Sequence, residues 1–119
     1  MSLVRSVVYA AYLALVLTAA PAFAFNWSFI DRSVLTMMNQ EDLTLLRGAL
    51  RQALDQEPDG TAVAWSNTTS GASGTFKPLS TTKVGGRTCR RVETFTHARG
   101  RNGRGIWEFC KQGSGWTLR

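Results

Sequence analysis

Two cysteines, Cys89 and Cys110, limit what this chain can fold into more than any other residues. In an exported protein, a pair with no third cysteine reads as one disulfide. Their spacing does not resemble the C-x-x-C of a redox-active pair. Closing a loop of about 20 residues stabilises a fold by roughly 3 kcal/mol. If the two face each other on antiparallel strands, paired residue numbers sum to 199 and the loop centres on Arg99-Gly100. The strongest hairpin dipeptide, however, is Asn102-Gly103. A turn there sets Cys89 opposite Trp116, roughly 20 Å from Cys110 along the strand and beyond disulfide reach. The disulfide outweighs the dipeptide, so Ala98 to Gly105 is expected to be an asymmetric or bulged loop with Asn102-Gly103 inside it.

The oxidising compartment is argued from residues 1–24, MSLVRSVVYAAYLALVLTAAPAFA. Arg5 gives a short positive start, Ser6 to Ala20 an apolar run, and Pro21 a helix break. Ala22-Phe23-Ala24 matches the small-x-small pattern of signal peptidase, so cleavage is expected after Ala24. An uncleaved anchor would need about 20 apolar residues, and Pro21 interrupts that run. No cysteine lies near the site for lipoprotein processing. A mature chain of 95 residues buries only a modest core, which gives the staple its importance.

Hydrophobic periodicity divides the rest. Residues 25–38 lack a clean period and read as an extended lead-in to a domain spanning residues 39–119. Asn39 is placed to cap a helix, with Asp42 completing a capping box. Leu43, Leu46, Leu50, Ala53 and Leu54 form its apolar stripe, and Arg47 and Arg51 lie off it. The helix should end near Gln56, ahead of Pro58 and the Asp59-Gly60 turn. Strands follow at 61–67 and 75–81, where Pro78 favours an edge, then at about 87–98, 105–111 and 115–118. The expected fold is α+β: an N-terminal helix packed on an antiparallel four- to five-stranded meander, with one disulfide.

Charge is segregated along this plan. Residues 25–75 carry a balance of −3 and residues 76–119 a balance of +8. Arg87, Arg90, Arg91, Arg99, Arg101, Arg104 and Lys111 are the candidate anion-binding residues. In the envelope the matching anions are acidic lipid, lipopolysaccharide and cell-wall polymer. Export argues against nucleic acid. The four tryptophans read first as core. Catalytic signals are weak: His97 has no recognisable nucleophile partner, and Ser70 and Ser73 do not form a G-x-S-x-G elbow. Glu93 and Glu108 can approach as a carboxylate pair, but surrounding arginines make ion pairing the simpler reading. With one histidine and two cysteines, neither a metal nor a cofactor is expected.

Several stretches, taken in order, resemble a known family. These are Asn39-Gln-Glu-Asp-Leu43, the D-G-T-A-V-A-W-S-N of 59–67, the T-S-G-A-S-G-T of 69–75, Cys89-Arg-Arg91 with Cys110, and the G-S-G-W of 113–116. Together, over about residues 36–119, they resemble the C-terminal domain of the 17 kDa surface antigen family of bacterial envelope proteins. That resemblance implies an exported protein with no assigned enzymatic activity. Trp65, Asn67, Gly71 and Gly74, in its most family-like stretch, are the expected fold-defining turn residues. The chain carries neither the lipoprotein cysteine nor the glycine-zipper segment of many relatives. It is therefore expected in the periplasm or secreted, at most peripheral to the outer membrane. The expectation is a non-enzymatic structural or binding module with a basic face. The alternative is a hydrolase-inhibiting module acting through Ser70–Gly74.

Overall fold

The computed structural model describes residues 26–119, and the expected export segment with its Ala24 site lies outside them. Among these described residues two helices precede five strands: α1 (Arg32–Leu35), α2 (Gln40–Asp55), β1 (Val63–Ser66), β2 (Ser73–Val84), β3 (Arg87–Ala98), β4 (Arg101–Gln112) and β5 (Gly115–Leu118). The strands form one antiparallel sheet in sequence order. The helices lie on one face, α2 over β1 and β2, and α1 over β3 and β4. The fold is α+β.

Helix α2 begins as its sequence requires. The Asn39 side chain accepts from the Asp42 N–H at 2.8 Å, and Asp42 accepts from the Asn39 N–H at 3.0 Å. Two of the four orphan N–H groups at a helix start are thereby satisfied. Leu46, Leu50, Ala53 and Leu54 are buried. Its other end is closed from the sheet, where Arg90 of β3 donates to the Ala53 and Leu54 carbonyls at 2.9 and 2.8 Å.

The lead-in is not extended. Asp31 caps α1 through the Ser33 N–H at 2.8 Å, and the buried Phe29 meets Phe109 edge-on at 5.5 Å and Phe76 at 6.3 Å. A single turn of helix leaves too short a periodic run to detect, and tertiary packing rather than propensity holds it.

Two strand expectations also change. β2 is an inner strand running from Ser73 to Val84, not an edge segment. Pro78 is tolerated because β1 stops pairing at Phe76, and a register shift follows between Pro78 and Ser80. The β3–β4 loop is neither bulged nor asymmetric. The ladder runs unbroken from Cys89↔Cys110 to Ala98↔Arg101, so Asn102-Gly103 lies inside β4. The turn is the pair Arg99-Gly100, with φ of 49° and 79°. Left-handed values at both positions match the twist of a two-residue hairpin, and they outweigh the poor fit of arginine to that region. Cys89 and Cys110 are bonded directly across the ladder, Cα to Cα 4.0 Å.

Candidate functional site

Strand parity sorts the basic residues before any contact is considered, because alternate side chains point to opposite faces. Val92, Thr94, Thr96 and Ala98 of β3 face the helices and are buried. Arg91, Glu93, Phe95 and His97 therefore face away. Across the ladder, Glu108, Ile106, Arg104 and Asn102 share that outward face, and Lys77 joins them from β2 opposite Glu93. Among the described residues no helix covers this face.

The seven candidate cations do not converge. Arg90 points inward and is buried, which corrects its assignment to an anion site. Besides the two helix carbonyls it donates to Thr81 Oγ1 at 3.0 Å and to Asp59 at 2.8 Å. Arg87 donates to the Lys111 carbonyl at 3.1 Å and to Thr117 Oγ1 at 3.3 Å. Lys111 itself lies over the Trp116 ring at 5.7 Å. These sit at one end of β3 and β4, while Arg99 and Arg101 sit at the other. Twelve strand residues separate the ends, about 40 Å, so no single phosphate is gripped by all. Between them, Arg91 and Arg104 lie on the outward face with Lys77. The Arg104 guanidinium stacks on Phe95 at 4.8 Å, and Ile106 beside it is 49% exposed. Glu108 pairs with Arg119 at 2.8 Å.

The carboxylates nearest the basic half are tuned by their donors. Burial pushes Asp42 upward, but hydrogen bonds from Ser70, the Asn39 N–H and Asn67 outweigh it, aided by the field of Arg99, and hold the group below its ordinary value. Asp31 is lowered chiefly by the Ser33 hydroxyl and N–H, with a contribution from Arg101. Asp59 is lowered first by Arg90 and then by Thr81. The hairpin arginines therefore share their field with acidic groups of the helical half.

The turn residues form a second cluster. The buried Asn67 side-chain amide donates to Asp42 at 2.7 Å, and the Asn67 backbone carbonyl accepts from the Gly71 N–H at 2.8 Å, Gly71 having φ of 80°. Ser70 donates to Asp42 at 2.6 Å, which ties this loop to the start of α2. At Gly74 an added Cβ would stand 2.5 Å from the Phe95 carbonyl and 2.6 Å from Trp65 Nε1. The absence of a side chain there lets Trp65 lie on the sheet.

The catalytic candidates do not form one constellation. Ser70 is turned to Asp42, and Ser73 stands opposite His97 in the β2–β3 register, but the His97 ring contacts Asn102 on β4. Glu93 and Glu108 are diagonal neighbours on the outward face, Glu93 exposed and Glu108 engaged by Arg119. Cys89, Cys110 and Glu108 lie close enough to hold a metal, but the disulfide removes both thiolate ligands.

A family model described as the 17 kDa outer membrane surface antigen matches residues 52–117. The chain belongs to that family. The match takes in the end of α2, nearly the whole sheet and both cysteines, and places this surface antigen among envelope-associated proteins. The capping box at Asn39 and Asp42 lies before the matched residues. No curated protein and no solved structure matches the chain. Sequence reasoning did not include Lys77, which the β2–β3 register brings beside Arg91 and Glu93. It also left Arg47 and Arg51 simply as residues off the helix stripe. The register shift between Pro78 and Ser80 hides Lys77 from the sequence, because a count back from the Gly85-Gly86 turn sets it opposite Thr94 on the buried face.

Proposed function

We propose that this surface antigen is exported by cleavage after Ala24 and acts in the periplasm or at the outer membrane's periphery as a non-enzymatic module. Its outward sheet face and hairpin tip contact an anionic envelope component: acidic lipid, lipopolysaccharide or cell-wall polymer. The observation that carries this reading is the outward grouping of Lys77, Arg91 and Arg104 on a face uncovered among the described residues. Arg99 and Arg101 extend the positive field beyond it. Guanidinium groups bind phosphate and carboxylate bidentately, and a spread of charge suits a polymer or lipid surface better than one small anion.

The test is sedimentation of the oxidised protein with vesicles containing acidic lipid, and with lipopolysaccharide. Binding is expected to weaken as salt rises from 50 to about 500 mM, because the screening length of exposed charges shrinks from about 14 to about 4 Å over this range. Arg99→Glu, Arg101→Glu and Arg104→Glu combined should abolish it. Wild-type protein that binds neither target would overturn the reading. Mass spectrometry of the exported protein checks removal of residues 1–24.

A further inference from the structure

A cavity of about 490 Å³ opens on the opposite side of the sheet, between α2 and the β4–β5 turn. Its floor is Leu50, Leu54 and Phe109, which are 3%, 4% and 4% exposed, and Trp116 forms one wall. That wall is fixed: the Trp116 indole N–H donates to Asp55 on α2 at 2.7 Å. The rim is charged. Arg47 and Arg51 line it from α2, the Arg47 guanidinium lying over the Trp27 ring at 5.3 Å, and Lys111 stands over the Trp116 ring. Arg47 and Arg51 share a helix face with Leu50 and Leu54 at i, i+3, i+4 and i+7 spacing. No carboxylate lies within ion-pair distance of Arg51 among the described residues, and Asp55 is turned to the indole.

An apolar floor beneath a positive rim selects a ligand with an alkyl body and an anionic head. The volume falls within the roughly 300–1,000 Å³ of small-molecule sites and suits one chain rather than a docked helix. We propose that this groove binds the alkyl chain of a fatty-acid anion, with its carboxylate held by Arg47 and Arg51 and attracted by Lys111. The occupant lies against Leu50, Leu54 and Phe109, where each further methylene buried tightens binding about fourfold. This site is separate from the outward face, so the two fail or succeed independently.

The experiment titrates the full, oxidised chain with 11-bromoundecanoic acid, whose bromine quenches a nearby indole. Saturable quenching at one molecule per chain is expected, largely lost in Trp116→Phe. The neutral 11-bromoundecanol should bind about tenfold more weakly or worse, and Arg47→Gln with Arg51→Gln should cost a similar factor, as expected for bonds to a charged group. Ser114→Phe, at an exposed position on the turn, should block the mouth and abolish quenching while leaving the far-ultraviolet circular dichroism unchanged. Arg91→Glu with Arg104→Glu should leave the titration as it was. Several results overturn the proposal: no quenching, whether because the chain's own first 25 residues fill the groove or because it stays shut; more than one molecule bound per chain; equal binding of acid and alcohol; or indifference to Ser114→Phe.

Discussion

Asp42 ties the start of its own helix to the β1–β2 loop through one carboxylate, accepting from the Asn39 N–H on one side and from the Asn67 amide and the Ser70 hydroxyl on the other. Asp42→Asn preserves the shape but replaces an acceptor oxygen with a donor facing other donors. A loss of about 2 kcal/mol follows, measured by urea denaturation. The same residue shapes the acid response. Its folded pKa lies below its unfolded value, so its stabilisation is complete above about pH 4–5 and disappears as pH falls through the folded pKa. Asp31 and Asp59 are shifted in the same direction. Melting temperature recorded from pH 7 to 2 should therefore fall on the acid side, and less steeply for Asp42→Asn than for the wild type. A glycine makes the opposite kind of contribution. Gly74→Ala drives a methyl into the Phe95 carbonyl and the Trp65 indole, and should cost about 1–3 kcal/mol with an unchanged denaturant slope.

At the scale of elements, the β3–β4 hairpin shows how far sequence rules reach. The cysteine pair set its register correctly, because two covalently joined positions admit one alignment of alternating strands. The turn itself was centred correctly on Arg99-Gly100, yet its regular geometry was obscured. Arg99 is not a residue that favours φ of 49°, and the favoured Asn102-Gly103 pair lies a few residues away within a strand. Tertiary constraint overrides local preference there. Arg99→Asn places the preferred asparagine-glycine pair at the actual turn and should stabilise the domain by about 0.5–1 kcal/mol in urea titrations. Arg90 shows the reverse limit. Its charge was legible, but its role as the closing group of α2 required the inward parity of β3 and the helix's position above it. Arg90→Met should cost about 2–3 kcal/mol by leaving the Ala53 and Leu54 carbonyls and the Asp59 contact unsatisfied, again read from urea denaturation. The groove beside Trp116 was illegible for a related reason: α2 and the β4–β5 turn are far apart in sequence, and only packing brings them together.

At the scale of the molecule, the helices among the described residues cover one side of the sheet and leave the other open, so these residues form a single buried layer with little redundancy. The Cys89–Cys110 bond lies across β3 and β4, two of the three twelve-residue strands, and closes a sequence separation of 21 residues. Its contribution acts mainly by restricting the unfolded chain, roughly 3 kcal/mol for a loop of this length. The folded register does not depend on it alone. Ten paired positions run from Cys89 to Ala98, and Phe109, next to Cys110, packs into the core against Phe29. Cys89→Ala with Cys110→Ala should therefore keep the native far-ultraviolet circular dichroism at 20 °C while its urea midpoint falls, the free energy dropping by about 3 kcal/mol at an unchanged slope. A variant already unfolded without urea would instead place the register, and not only the stability, in the disulfide. Reducing agent applied to the wild type should reproduce the variant's midpoint, since both remove the same restraint on the unfolded chain.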